Sequence, residues 1–431
     1  MLAVLAVIPA AAEEPGPWQD GWRIVQTLVV PEAELSAGVK LGGLSDLAVA
    51  ADTAPGRLRL WSLTDRGPNG IVKTERGKLR TLLAPAFVPA LVLIDLGAKA
   101  TVERIVPLAG RSGKPLSGRP NGIGRDEPVL AANGTTPLEP DPDGIDPEGL
   151  MPMPDGSFWV SEEYRPSLLH VGGDGRLVAR YVPEGHSLPG ADGEVRAVLP
   201  AAYGLRRDNR GLEGLTASAD GSRLWAILQS PIEGPDEEAG KQAKKTGNVR
   251  LLAFDPVAGR PAAEHVYRLG DPTDPAYLTR GASPKDGKLC AIAAVAADRL
   301  LVLEQDDTGL ARLYLADLAG ASDTLGWQSP PAAESGLFDT VRDLPAAGIT
   351  PVKKTLVADL TAARRQMWAE ATAGDRNASA EQALLKLEGL AVLDDRRMAL
   401  VNDNDFSVPD PGRPQHTCIW IVELEQPLRS P

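Results

Sequence analysis

Asp146-Pro147-Glu148-Gly149-Leu150, followed by Asp155-Gly156-Ser157-Phe158-Trp159-Val160-Ser161-Glu162-Glu163, reads as a short strand, an Asp-Gly turn and a second apolar strand ending on acidic residues. The plan returns at Leu212-Glu213-Gly214-Leu215 with Asp220-Gly221-Ser222-Arg223-Leu224-Trp225-Ala226-Ile227. It returns again at Leu387-Glu388-Gly389-Leu390 with Arg397-Met398-Ala399-Leu400-Val401-Asn402-Asp403. Two weaker copies share it: Leu44-Ser45-Asp46-Leu47 leads to Leu60-Trp61-Ser62-Leu63-Thr64-Asp65, and Cys290-Ala291-Ile292-Ala293 leads to Leu300-Leu301-Val302-Leu303-Glu304-Gln305-Asp306. Self-similarity of this kind in a Gly-rich chain points to a repeat architecture.

Outward from each pair lie two more strand patterns, such as Ser167 to Val171 with Leu177 to Val182, and Arg250 to Phe254 with Glu264 to Leu269. Four antiparallel strands per unit make the blade of a β-propeller, whose first strand lines the central channel. The expected fold is therefore all-β: a β-propeller with five blades counted, and six if the Gly/Pro-rich stretch from Arg111 to Ile145 hides a divergent one. The last copy has a third strand, Thr417 to Leu424, and no fourth; Arg23 to Val30 is expected to supply it and close the ring. Between blades, Pro231 to Asn248 reads as a charged loop, and Leu360 to Leu387 carries a short helix from Thr361 to Ala371, on its Ala, Arg, Gln and Met content.

Composition narrows the class. The 431 residues carry 45 Lys and Arg against 58 Asp and Glu, a formal charge of −13, which argues against nucleic acid or anionic membrane as partner and favours cations or small molecules. The apolar run Met1 to Ile8 before Ala10-Ala11-Ala12 reads as a signal peptide over residues 1–12, leaving 13–431 as one domain. No later run has transmembrane length, so a periplasmic or secreted chain without an integral membrane segment is expected. Cys290 and Cys418, the two cysteines, are too few for a disulfide framework; one bridge and two buried thiols both fit.

Several reaction classes drop out. The chain has no Gly-x-Ser-x-Gly elbow, Walker A pattern or dinucleotide fingerprint, and its four histidines have no zinc-site spacing. Carboxylates remain. Calcium takes six to eight oxygen ligands, and the candidate set is Asp46, Glu148, Glu213, Glu388 and Asp403. Such acids on one axis repel each other unless a cation or protons offset them. An architectural role stands beside this: each Glu accepts backbone hydrogen bonds and each Gly permits close packing. Beside the acids lie Arg66, Arg165 and Arg210, which suit an anionic substrate or else pair with neighbouring acids. Lys241, Lys244 and Lys245 read as solvated loop.

Thr64-Asp65-Arg66-Gly67-Pro68-Asn69, Asp146-Pro147-Glu148-Gly149-Leu150, Trp159-Val160-Ser161-Glu162-Glu163-Tyr164, Gly211-Leu212-Glu213-Gly214-Leu215 and Leu387-Glu388-Gly389-Leu390 together resemble the bacterial phytase-like family named for esterase-like activity of phytase. The resemblance runs from about Leu41 to Leu424. It implies an exported propeller that hydrolyses phosphoric or carboxylic esters. The Asp-Asp-Pro-Ala segment of the alkaline propeller phytases is absent, which counts against phytate. The leading expectation is a calcium-dependent hydrolase of a small anionic phosphoric ester, with Glu162 or Glu163 as general base and Arg66, Arg165 and Arg210 on the substrate. Its rivals are a carboxylic-ester or lactone hydrolase and a non-enzymatic periplasmic binding or scaffold propeller.

Overall fold

Short aliphatic runs separated by Gly and Asp turns are too brief for helices and long enough for strands. In the computed structural model, which describes residues 16–51, 56–75, 77–122, 128–270, 287–306, 309–327, 337–372, 385–408 and 415–428, those runs form antiparallel sheets laid out largely in chain order. Sheet I holds Ala48–Val49, Arg59–Leu63, Ala90–Leu96 and Ala100–Pro107. Sheet II holds Pro147–Pro152, Phe158–Glu162, Ser167–Val171 and Leu177–Pro183, with Glu194–Leu199 added in parallel at its edge. Sheet III is Leu212–Ala217, Leu224–Leu228, Asn248–Asp255 and Arg260–Arg268; sheet IV is Gly287–Ala296, Arg299–Asp306, Ala311–Asp317 and Lys353–Asp359. Sheet V joins the chain ends: Lys386–Val392, Arg397–Asp403 and Cys418–Leu424 are completed by Trp22–Val29, paired antiparallel to Cys418–Leu424. The expected pairing of the two ends is present.

The first strands of successive sheets touch one another, I with II, II with III, III with IV, IV with V, and V with I. Glycine permits the approach. A Cβ on Gly149 would lie 2.4 Å from the carbonyl oxygen of Glu213, one on Gly214 2.7 Å from the amide nitrogen of Ile292, and one on Gly389 2.7 Å from the carbonyl carbon of Asp46. No side chain fits those gaps without displacing backbone. Hydrogen bonds stitch the same seams: Ser161 Oγ donates to Glu213 O at 2.6 Å, and Gln305 Nε2 donates to Leu387 O at 2.5 Å. Farther out, apolar layers fill the space between sheets, as where Trp159 and Tyr181 of sheet II meet Phe254 of sheet III.

Three expectations need correction. Pro231 to Asn248 is not all loop: Glu237–Thr246 is an α-helix, capped where the Asp236 side chain accepts from Ala239 N at 2.8 Å and ended by Gly247 at φ 69°. Its acids lie in the first turn and two of its three lysines, Lys244 and Lys245, in the last, as the helix dipole favours. The helix expected from Thr361 begins at Arg364, after a turn. Within Arg111 to Ile145, Val129–Ala131 joins Asn69–Thr74 and Gly77–Leu82 in a three-stranded sheet inserted into sheet I. Glu237–Thr246 and Arg364–Ala371 are the two α-helices among the described residues, and the fold is mostly β. Cys290 and Cys418 are both buried free thiols. Met1 to Ala12, read as a signal peptide, lies outside the described residues. Among the described residues no helix is long and apolar enough to cross a membrane.

Candidate functional site

In sheets II, III and V the acidic residue of the repeat sits in a β-bulge. In sheet II, Pro147 faces Glu162 and Gly149 faces Ser161, which leaves Glu148 as the extra residue. In sheet V, Leu387 faces Asn402 and Gly389 faces Val401, leaving Glu388. In sheet III the register moves from Leu212 opposite Leu228 to Leu215 opposite Ala226, one residue more on the strand bearing Glu213. A bulge turns its extra side chain out of the alternating pattern. Here Glu148, Glu213 and Glu388 are turned into one cavity of about 210 Å³, whose wall also includes Asp65, Arg66, Glu163, Arg210, Lys288, Lys386 and Asp403.

Acids outnumber bases on that wall, and most are buried. One ligand oxygen from each of Asp146, Glu148 and Glu163 lies within 4.8 Å of the other two. Burial pushes Glu148 and Glu213 well above the usual carboxylate range, and repulsion adds to this, from Asp146 on Glu148 and from Glu163 on Glu213. Burial also lifts Glu163 to about 7, with Asp146 adding to the rise and Arg66 opposing it. Asp403 is likewise raised to about 7 by burial and by neighbouring Asp405. Arg66 ties this side together: its backbone N–H donates to Asp146 Oδ1 at 3.0 Å, and its guanidinium pairs with Asp146 and, at 3.3 Å, with Glu163 Oε2. Across the cavity Lys386 pairs with Asp403 at 3.4 Å and with Asp405. Arg210 donates to Gly287 O at 3.1 Å, which fixes its guanidinium at the wall.

Of the residues expected from sequence, the structure brings together Glu148, Glu213, Glu388, Asp403, Glu163, Arg66 and Arg210. It does not bring Asp46, Glu162 or Arg165 to the cavity wall. The Asp46 carboxylate accepts from Leu47 N and Leu150 N at 2.8 Å each, joining sheets I and II as the architectural reading expects. Glu162 accepts from Tyr164 N at 2.9 Å, Arg165 N at 3.2 Å and Ser167 Oγ at 2.5 Å, so it holds the turn after its strand. Arg165 is buried and donates to Ser187 O at 3.1 Å. Residues missed from sequence include Asp146 and Asp65, each adjacent to or two positions from a chosen residue, and Lys386, two positions before Glu388. The Asp-x-Glu spacing at Asp146 was the available clue.

The donor set suits a hard divalent cation. Glu163 Oε1, Glu213 Oε2 and Glu388 Oε2 are buried and have no hydrogen-bond partner. A buried carboxylate oxygen left this way costs a few kcal/mol unless a cation or proton meets it. Asp146, Glu148 and Glu163 would supply oxygens of the kind calcium takes.

An uncharacterized secreted protein of Arthroderma benhamiae is 32% identical over 140 residues, covering 28% of this chain and 26% of that protein. The match thus spans about a quarter of the relative's length. Among solved structures, the calcium-binding protein regucalcin of Agrobacterium tumefaciens is similar at 11% identity and TM-score 0.35, over 94% of this chain and 100% of that one. An α-L-arabinofuranosidase of Podospora anserina is similar at 10% identity and TM-score 0.38, over 98% and 99%. Residues 39–406, which carry every side chain of the cavity wall, match the phytase-like family described as esterase-like activity of phytase, and the chain belongs to that family.

Proposed function

We propose that the chain is an exported, calcium-dependent hydrolase of small phosphoric esters, built as a single five-bladed β-propeller over residues 13–431. The ring reading draws support from the cyclic contacts of the first strands and from Trp22–Val29 completing sheet V. Export to the periplasm or outside the cell draws on the apolar leader and on a relative described as secreted. The observation that carries the chemistry is the set of buried oxygens without hydrogen-bond partners on Glu163, Glu213 and Glu388, facing a cavity that also presents cationic side chains.

Each side chain has a part. Asp146, Glu148 and Glu163 would hold the cation, and Glu213 and Asp403 line the same cavity. When bound, calcium supplies Lewis acidity toward the ester and toward water. Arg210 and Lys386 attract the anionic ester, and Arg210 is the more directional because its fork matches two phosphoryl oxygens. Glu163, held in place by Arg66 through Oε2, would accept the proton of the attacking water. The family's esterase-like description supports ester cleavage, and the cations on the wall favour an anionic ester over a neutral lactone.

The test is hydrolysis by the full chain of a panel of phosphomonoesters, phosphodiesters, carboxylic esters and lactones, after chelation and after calcium is returned. Phosphoester turnover that disappears on chelation and returns with calcium is expected. Full activity in excess chelator, or lactone turnover indifferent to Arg210→Ala, would overturn the reading.

A further inference from the structure

Four sheets repeat the bulge; in three of them it aims a carboxylate at the cavity, and in the fourth the extra residue is a thiol. In sheet IV, Leu289 faces Glu304 and Ala291 faces Leu303, leaving Cys290 as the extra residue. That is the register of Glu148 in sheet II and Glu388 in sheet V. Cys290 therefore occupies, in its repeat, the place the others give to glutamate. One ligand atom from each of Glu213, Cys290 and Glu388 lies within 4.8 Å of the other two.

We propose that Glu213, Cys290 and Glu388 form a second cation subsite, which takes a thiophilic divalent transition ion beside the oxygen-only subsite of Asp146, Glu148 and Glu163. An independent feature points to a ligand there. Glu213 is only 2% exposed and lines the cavity; its Oε1 accepts from Gln229 Nε2 at 2.7 Å, while its Oε2 has no hydrogen-bond partner. Cys290 Sγ is held as well, accepting from Gln305 Nε2 at 2.8 Å, and Gln305 is itself anchored by Leu387 N at 3.2 Å. Partners behind the ligands are what fixes ligand orientation in metal sites.

Ligand chemistry then separates the two subsites. Carboxylates alone suit calcium or magnesium, whereas a thiolate draws zinc, cobalt or ferrous ion, which also accept carboxylate oxygen. On coordination the thiol proton leaves to solvent and the sulfur binds as thiolate. Cys290 also shares a side-chain hydrogen bond with Glu388, a polar contact that a mere apolar filler would not make. This inference shares Glu213 and Glu388 with the proposed hydrolase site but does not require that hydrolysis occur.

The full-length protein, stripped by chelator, is titrated with cobalt(II) alone. A thiolate-to-cobalt charge-transfer band in the near ultraviolet is expected, saturating at one equivalent. It should vanish in Cys290→Ser, weaken in Glu388→Gln and persist in Cys418→Ser. X-ray absorption of the cobalt-loaded wild type needs no variant and should show a cobalt–sulfur contact. No band in wild type, a band that survives Cys290→Ser, or a shell of oxygen and nitrogen only would overturn the proposal. Calcium-dependent hydrolysis without the band would sink this subsite and leave the hydrolase reading standing; the band without any ester turnover would do the reverse.

Discussion

Glu162 and Glu163 are neighbours with opposite employment. Glu162 turns inward to three donors after its strand, while Glu163 faces the cavity with one oxygen on Arg66 and one without a hydrogen-bond partner. Glu163→Gln is expected to lower phosphoester kcat by roughly 10²- to 10⁴-fold, the usual contribution of a general base, with the circular dichroism spectrum unchanged. Glu162→Gln should instead lower stability by about 1–3 kcal/mol in urea unfolding, because buried donors lose a charged acceptor. Sequence placed both residues at the mouth of a strand and could not say which one faced inward, since successive strand residues alternate faces and the register was unknown. The same limit explains Asp46, whose acidic place in its repeat matched the others although its carboxylate is consumed by backbone amides of Leu47 and Leu150. Cys290 was visible as the head of a weak copy; that it shares the glutamates' bulge became apparent only from the pairing register.

The bulge with its following glycine is the element on which the site depends. Gly214→Ala would place a methyl 2.7 Å from the amide nitrogen of Ile292 in the next sheet, and should cost about 1–3 kcal/mol in urea unfolding, as overpacking does elsewhere. A surface glycine such as Gly156, whose Cβ would meet nothing within 4 Å but whose φ is 84°, separates backbone strain from packing as a control. The strands themselves were legible because aliphatic runs and Asp-Gly turns recur in step. The helix Glu237–Thr246 was missed, although Asp236-Glu237-Glu238 followed by Lys241, Lys244 and Lys245 is the charge order of a capped helix; its sparse apolar content concealed it. Asp236→Ala should cost about 1 kcal/mol by the same unfolding measurement, since Ala239 N loses its cap.

For the whole molecule, the crowded carboxyls make stability depend on pH and on cation together. Glu163 and Asp403, ordinarily near 4.5 and 3.8, are raised to about 7 in the folded chain, so the folded state binds more protons than the unfolded one across that interval. Stability of the chelated protein is therefore greatest below that interval, as far as these groups decide it, and falls as pH rises toward 7. Cation binding displaces those protons, so thermal unfolding should show little calcium stabilisation near pH 4.5 and clear stabilisation near pH 7.5, of about 2.7 kcal/mol when calcium is at 100 times its Kd. The repeat plan and the joining of the chain ends were readable from pattern, whereas the convergence of residues as distant as Arg66 and Asp403 on one cavity needed the sheets in place. The most direct test is a crystal structure of the chain grown with calcium, read by its anomalous scattering. A peak within ligand distance of Asp146, Glu148 and Glu163 is predicted, and a cavity holding only water at saturating calcium would contradict the account.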